Sequence, residues 1–310
     1  MTTGSIPGLV PLLGLCAGVL GLLTGSFLNV IVYRLPSGIS IVSPPSACPR
    51  CRARIKSFDN VPVLSWLLLR GKCRNCKTRI SARYPLVEAG TAMFFAGVAW
   101  FAGLGWVSTS STTGFGSTTG FSLTTRIGTT GDIDPVSGAD STAAGVLVLV
   151  AFLYLAAVSV ALALIDIDTH RLPDAIVLPS YLVGGLLLGA AGVIGGDVDS
   201  MVRAAIGMAA LWAAYLVMAV TYPGGMGFGD VKLAGVLGLY LGYLGWGQLV
   251  VGAFAAFLLG GIFAVGLLLA KRANRKSGIP FGPWMLVGAW VGVFFGAAVW
   301  DGYLTLLGVA

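Results

Sequence analysis

Long apolar stretches separated by short polar ones dominate the chain. Eight apolar segments are long enough, or nearly long enough, to cross a bilayer as helices, which takes about 20 residues each. They cover residues 7–33, 86–106, 143–165, 175–195, 203–222, 233–246, 248–269 and 283–300, and the sixth is short. The pattern predicts an all-α, polytopic membrane protein with about eight transmembrane helices.

Composition supports this interpretation. Of the 310 residues, 56% are hydrophobic and 10% are charged, whereas soluble domains carry about 25% charged residues. The mean hydropathy is +0.90. Glycine occurs 46 times, which suits helices that pack closely in a membrane.

The basic residues are distributed unevenly between the two sides of the predicted bundle. The loop 34–85 holds 11 of the 19 Lys and Arg residues, and only Arg126 and Arg203 fall on the opposite side. The positive-inside rule then makes the basic side cytoplasmic and leaves both termini outside. Topology therefore explains the net charge of +7, and no nucleic-acid partner is predicted.

Three regions follow from this topology. Residues 1–106 hold the first two spans and the long cytoplasmic loop 34–85 between them. Residues 107–142 form an external insert rich in Ser, Thr and Gly, a composition that predicts a flexible segment. Residues 143–310 form a domain of six spans joined by short loops.

Four cysteines in the cytoplasmic loop form two CxxC pairs. Cys48 and Cys51 are separated by 21 residues from Cys73 and Cys76, a spacing typical of a structural zinc site with four thiolate ligands. The reducing cytoplasm disfavours disulfides there. The alternative interpretation is a set of redox-active or free thiols.

Carboxylates beside the spans are candidates for chemistry, because ionisable groups in a membrane are costly. Asp166 and Asp168 lie at the cytoplasmic end of the third span, Asp230 lies beside the sixth, and Glu88 begins the second. Two carboxylates in contact can share one proton and act as base and acid in peptide hydrolysis. Such a pair is equally compatible with a proton relay or with helix capping.

Several motifs along the chain occur in the order typical of one protein family. They include Gly25-Ser-Phe-Leu-Asn-Val-Ile-Val-Tyr-Arg-Leu-Pro36, the two CxxC pairs, Arg83-Tyr-Pro-Leu-Val-Glu88, Asp166 followed by Leu172-Pro173, Gly227-Phe-Gly-Asp230 and Pro280-Phe-Gly-Pro283. The chain resembles the bacterial prepilin peptidases, also called type IV leader peptidases, over residues 25–106 and 143–300. The insert 107–142 departs from the family pattern.

The resemblance implies an aspartyl endopeptidase of the GxGD type in the bacterial inner membrane, with Asp166 and Asp230 as the catalytic pair. It implies cleavage of a basic leader peptide from type IV prepilins or pseudopilins, after a glycine and at the cytoplasmic face. It also implies methylation of the new N-terminus with S-adenosylmethionine as the methyl donor. No glycine-rich nucleotide fingerprint in the sequence supports that second activity independently.

The catalytic loops also suggest how a basic leader is held. Asp168 or Asp174 would form an acidic patch that attracts leader Lys or Arg side chains, although Asp174 could instead cap the helix that follows. Gly227 and Gly229 would let the backbone approach a peptide closely, and Lys232 is a further candidate for substrate contact. Two other functions remain open, namely a different GxGD intramembrane protease and a proton-coupled transporter.

Overall fold

The computed structural model describes residues 9–109, 138–221, 226–270 and 280–308, and most of these residues are helical. Their secondary structure comprises nine α-helices, one 3₁₀ turn and two isolated β-bridges, and most of residues 35–82 form turns and loops. The helices are α1 (Leu9–Arg34), α2 (Leu64–Leu68), α3 (Arg83–Thr109), α4 (Gly138–Thr169), α5 (Asp174–Gly195), α6 (Val198–Thr221), α7 (Phe228–Leu244), α8 (Trp246–Leu269) and α9 (Gly282–Leu306).

Seven of these helices are long and apolar enough to cross a membrane, which confirms the predicted fold class. The segment predicted at 233–246 is the exception. Its helix, α7, begins five residues earlier, at Phe228, and has only 17 residues. At 1.5 Å per residue it is about 26 Å long, less than the roughly 30 Å of a bilayer core.

The short helix α7 lies at the centre of the C-terminal bundle and packs against α5, α6, α8 and α9. Its contact with α6 is made through glycines. A Cβ added at Gly207 of α6 would lie 2.6 Å from the Gly238 carbonyl oxygen, and one at Gly242 would lie 2.6 Å from the Arg203 carbonyl oxygen. Small residues therefore allow the two backbones to touch, as is common between membrane helices.

The chain divides into two compact units. One comprises Met1–Trp100 with Ala156–Ala161, and the other comprises Phe101–Leu155 with Leu162–Ala310. In the first unit, α1 and α3 pack through Gly21 and Gly25, where an added Cβ would lie 2.7 and 2.8 Å from Ala92 Cα and Glu88 Cα. The predicted domain boundaries at 106 and 143 stay predictions.

The ends of the predicted insert 107–142 belong to helices, because α3 continues to Thr109 and α4 begins at Gly138. Residues 110–137, including Arg126, lie outside the described residues, as do the basic residues of 271–276. The expectation of a flexible external segment therefore stays a prediction.

Candidate active site and metal centre

Asp166 lies in the last turn of α4, next to buried Ile165, and is itself buried, with 4% of its surface exposed. Asp168 stands two residues further along, which is about 200° around a helix, and is exposed. Helical geometry thus separates the two neighbouring carboxylates. Asp166 faces the protein interior, whereas Asp168 lies on the surface of the protein.

The buried carboxylate of Asp166 is held by the start of α9. The Gly282 amide donates a hydrogen bond to Asp166 Oδ2 at 3.1 Å. A Cβ added at Gly282 would lie 2.7 Å from the same oxygen. Glycine is therefore required at 282 for the amide to reach the carboxylate.

Asp230 lies in the first turn of α7 and closes the beginning of that helix. Its amide donates to the Gly227 carbonyl at 3.0 Å, and the Gly227 amide donates to Asp230 Oδ2 at 3.2 Å. The reciprocal bonds satisfy amides that a helix start leaves without partners. They also fix the carboxylate near the positive end of the helix dipole.

The ends of α4, α7 and α9 converge around Leu172. An added Cβ would lie 3.0 Å from Leu172 Cβ at Gly229, and 3.4 Å from Leu172 Cδ2 at Gly282. Asp166 and Asp230 are close enough to interact electrostatically, and Tyr215 of α6 interacts with the Asp230 charge. Two carboxylates from distant parts of the sequence therefore share one site.

The predicted substrate-binding residues lie around this pair but already make contacts within the chain. Gly227 bonds Asp230, and Gly229 packs on Leu172. Lys232 Nζ lies 2.8 Å from both carboxylate oxygens of Asp174. Asp174 is the first residue of α5, whose N-cap is Pro173. Asp174 is therefore not the helix cap, and Lys232 offsets its charge.

Sequence reasoning missed three contributors to the site. Leu172 and Gly282 belong to motifs noted in the sequence, but the motifs do not reveal their contacts. Leu172 packs on Gly229, and the Gly282 amide bonds Asp166. Tyr215 carries no local signal, because an aromatic residue in a membrane helix is ordinary. Only the tertiary arrangement brings it beside Asp230 and into ring contact with Phe257 and Phe281.

The two CxxC pairs fold into turns with the same geometry. The Cys48 amide donates to the Ala53 carbonyl at 3.0 Å, and the Cys73 amide donates to the Thr78 carbonyl at 2.8 Å. The residue after each second cysteine has a positive φ, 53° at Arg52 and 58° at Lys77. The two turns therefore share one backbone arrangement.

The four sulfurs meet in a compact cluster. All of the Sγ atoms of Cys48, Cys51, Cys73 and Cys76 lie within 4.8 Å of one another. The Cys48–Cys76 and Cys51–Cys73 separations are 3.7 and 4.0 Å. Four sulfurs at about 2.3 Å from a tetrahedral ion would be separated by roughly 3.8 Å. The cluster therefore fits a metal ion the size of zinc.

The environments of the four thiols differ. Hydrogen bonding by the backbone and side chain of Thr78 lowers the pKa of Cys76 to about 6, and hydrogen bonding to the backbone of Cys51 and Arg50 lowers the pKa of Cys48. The Ala53 backbone favours the Cys51 thiolate, but burial and the three neighbouring sulfurs outweigh it and raise the pKa of Cys51 to about 11. Four thiolates at this distance need a cation.

Comparison with protein families matches two regions of the chain. Residues 19–102 match the model described as the bacterial peptidase A24 N-terminal domain, and residues 142–265 match the type IV leader peptidase family. Together the two matches cover more than half of the chain. The region between them, 103–141, contains nearly all of the predicted insert.

Similar proteins align over nearly the whole length. A prepilin leader peptidase/N-methyltransferase of Pseudomonas putida is 35% identical, over 94% of this chain and 94% of its own. Proteins of the same name from Stutzerimonas stutzeri and Pseudomonas aeruginosa are each 32% identical, over 94% and 95% of this chain and 93% and 94% of their own. No solved structure matches. The chain belongs to the type IV leader peptidase family.

Proposed function

We propose that this protein is a membrane-embedded aspartyl endopeptidase that removes the basic leader peptide from type IV prepilins or pseudopilins. The relatives' names supply the substrate class. The observation that carries the chemistry is the convergence of the ends of α4, α7 and α9 around Leu172, which brings the segments of Asp166 and Asp230 to one place. The comparisons do not favour a different GxGD protease or a proton-coupled transporter.

In the proposed reaction, the pair shares one proton because two adjacent carboxylates resist full ionisation. The ionised carboxylate takes a proton from water, and the water oxygen attacks the scissile carbonyl carbon while the neutral carboxyl protonates the carbonyl oxygen. The resulting tetrahedral adduct collapses, its C–N bond breaks and the leaving nitrogen accepts a proton. The products are a leader carboxylate and a pilin with a free amino group.

The contacts around the pair support this assignment. The Gly282 amide orients Asp166, and the Gly227 amide orients Asp230. Each carboxylate keeps an oxygen that is not used in these two bonds. Oriented groups of this kind lower the barrier because little reorganisation is left for the reaction itself.

Cleavage of a purified prepilin by purified enzyme tests the assignment. Replacing Asp166 or Asp230 with Asn keeps the shape of each side chain and removes its acid–base function. We expect the rate constant for cleavage to fall by about 10²–10⁴-fold or more in each variant. Asp199→Asn, at the exposed opposite end of α6, is the matched control and should cleave at the wild-type rate. Full cleavage by both site variants would exclude the pair.

We also propose that Asp168 attracts the basic leader. It is exposed at the end of α4, where a carboxylate can attract the Lys and Arg side chains of a leader from solution. Asp168→Asn should therefore raise the KM for prepilin at low salt. The increase should shrink at high salt, because a shorter Debye length screens attraction between exposed charges.

A double variant separates this attraction from a general effect of removing an acid. Asp174→Asn with Lys232→Gln deletes one acidic and one basic group, so the net charge near the site is unchanged. We expect its KM to show little salt dependence beyond that of the wild type. A KM for Asp168→Asn that equals the wild-type value at low salt would rule out the patch.

Zinc is the metal that we propose for the four-cysteine cluster, in a structural role. The chemistry of the donors supports it, because thiolates select zinc over the hard cations Mg²⁺ and Ca²⁺. Four cysteine ligands would leave no open position for a substrate or a water. In this role the metal would stabilise the turns at Cys48–Cys51 and Cys73–Cys76 and would take no part in hydrolysis.

We propose methylation of the new pilin N-terminus as a second activity, with S-adenosylmethionine as methyl donor. The relatives' names are its support, and no residue of this chain is assigned to it. The test incubates only the enzyme, prepilin and the methyl donor, and measures the mass of the mature pilin. One methyl transfer should increase that mass by about 14 Da. Cleaved but unmodified pilin would contradict this activity.

The proposed location is the bacterial inner membrane, with the metal-binding loop and the aspartates at the cytoplasmic side and both termini outside. The concentration of Lys and Arg in residues 34–85 supports this orientation. Labelling from either side of sealed vesicles at single introduced cysteines would test it.

A further inference from the structure

The short helix α2 buries a polar residue and exposes its leucines, which is the reverse of a helix on the surface of a soluble domain. Its buried residue is Ser65, whose hydroxyl donates to the Phe58 carbonyl at 3.0 Å and accepts from the Val61 amide at 3.1 Å. Leu64, Leu67 and Leu68 are exposed. In water such a helix would turn its leucines inward.

The start of α2 is tied to a membrane-spanning helix. The Val63 amide donates to Glu88 Oε2 at 2.7 Å. Val63 precedes α2 with a φ of 59°, a conformation that costs free energy for a β-branched residue. The Glu88 carboxylate is buried, and its bond holds Val63 in that conformation. The position of α2 is therefore fixed relative to α3.

The position of Glu88 along α3 sets the level of α2. Glu88 is the sixth residue of the candidate span Arg83–Gly103, about 7.5 Å along the helix axis from Arg83. Side chains lean toward the N-terminus of their helix, so the carboxylate lies between these two levels. With the membrane boundary placed at Arg83, the carboxylate would lie at the depth of amphipathic segments in the boundary between lipid headgroups and acyl chains.

We propose that α2 is a membrane-interface segment whose occupant is the bilayer itself, with Leu64, Leu67 and Leu68 inserted among lipids. Exposed Arg70 and Lys72 follow directly, so anionic headgroups would meet basic side chains beside the leucines. On the other side of the segment, Trp66 donates to the Ile80 carbonyl at 3.2 Å and packs on Gly71. The bilayer would thereby anchor the loop that carries the cysteines.

A lipid cross-linking experiment tests this proposal independently of peptidase activity. The photoreactive residue p-benzoylphenylalanine replaces Leu68, which is 74% exposed, so no internal packing is lost. The full-length protein is placed in nanodiscs of phosphatidylglycerol and phosphatidylethanolamine, irradiated without substrate, and analysed by mass spectrometry. The same replacement at Leu20 of α1, an exposed position within a span, reports the yield for a lipid-facing residue.

Exposed Asn75, between Cys73 and Cys76, provides the control for a water-facing position. We expect lipid adducts from position 68 at a yield near that of position 20 and several-fold above that of position 75. A yield at position 68 no higher than at position 75 would overturn the proposal. In a second irradiation with added prepilin, replacement of the lipid adducts at position 68 by prepilin adducts would also overturn it, because the leucines would then form a substrate-binding surface. Neither result would affect the assignment of Asp166 and Asp230.

Discussion

At the scale of single residues, glycine and aspartate act together in this site. Asp166 was identifiable from sequence because a carboxylate at the end of an apolar span is costly without a function. Its partner Gly282 lies 116 residues away. Because Gly282 lies between two prolines, its local sequence predicts a turn. Only the packed structure shows that the absence of a Cβ at Gly282 makes room for the Asp166 carboxylate.

Gly282→Ala should impair catalysis without unfolding the protein. The added Cβ would lie 2.7 Å from Asp166 Oδ2 and would push the carboxylate away from its amide donor. A displacement of about 1 Å can cost roughly 100-fold in rate, so we expect a loss of that order in kcat. The measurement is the cleavage rate together with the thermal unfolding midpoint.

Gly261→Ala supplies the matched control for this change. Gly261 lies in α8 and an added Cβ there meets no atom within 4 Å. Its kcat should equal that of the wild type. If Gly282→Ala also cleaves at the wild-type rate, the bond from the Gly282 amide does not position Asp166.

At the scale of elements, hydrophobic segments predicted the long helices well, because a bilayer demands about 20 apolar residues per span. The predicted starts of α4, α6 and α7 were each five residues late, and α7 alone of the eight predicted spans has a helix that is too short to cross a bilayer core. Asp230 and Lys232 interrupt the apolar pattern there. They nevertheless belong to the helix, since Asp230 bonds the Gly227 amide and Lys232 pairs with Asp174.

Gly238→Ala should loosen the contact between α6 and α7. An added Cβ would clash with the Gly207 carbonyl and would lie 3.0 Å from Met208 Cα, and backbone atoms cannot move aside as flexible side chains can. Overpacking of this kind costs about 1–3 kcal/mol, so the unfolding midpoint in detergent should fall. Gly185→Ala in α5, where space is open, should leave it unchanged. Equal midpoints for the two variants would show that the helices can separate freely.

At the scale of the whole molecule, Asp166, Asp230 and Gly282 belong to one compact unit, and the four cysteines of the CxxC pairs belong to the other. The cysteine spacing was sufficient to predict the cluster, because two CxxC turns have few ways to bring four sulfurs together. The sequence predicted an acidic patch at Asp168 or Asp174, but it did not predict that Lys232 pairs with Asp174. The pairing of Asp174 with Lys232 joins residues 58 positions apart, and no local pattern encodes it.

Loss of the proposed metal should affect the two units differently. We expect Cys73→Ser with Cys76→Ser to abolish bound zinc and to make the segment 46–80 sensitive to trypsin, because metal binding and folding of such turns are coupled. The thermal unfolding midpoint of the helical bundle that holds the aspartates should change little. Cys16→Ser, a change within α1, is the control and should retain the metal. Unchanged trypsin resistance in the double variant would show that the turns fold without zinc.

The unequal lengths of α6 and α7 set a condition on the substrate. Because Gly238 of α7 lies against Gly207 of α6 and Tyr215 lies near Asp230, α6 extends past the start of α7 by about one turn, roughly 6 Å. A helical polypeptide beside that overhang would keep its carbonyls in its own hydrogen bonds, whereas an extended strand would offer its carbonyls to attack. The enzyme would thus select for local disorder, and a prepilin whose cleavage region is stiffened into a helix should escape processing even when its sequence at the cut is intact.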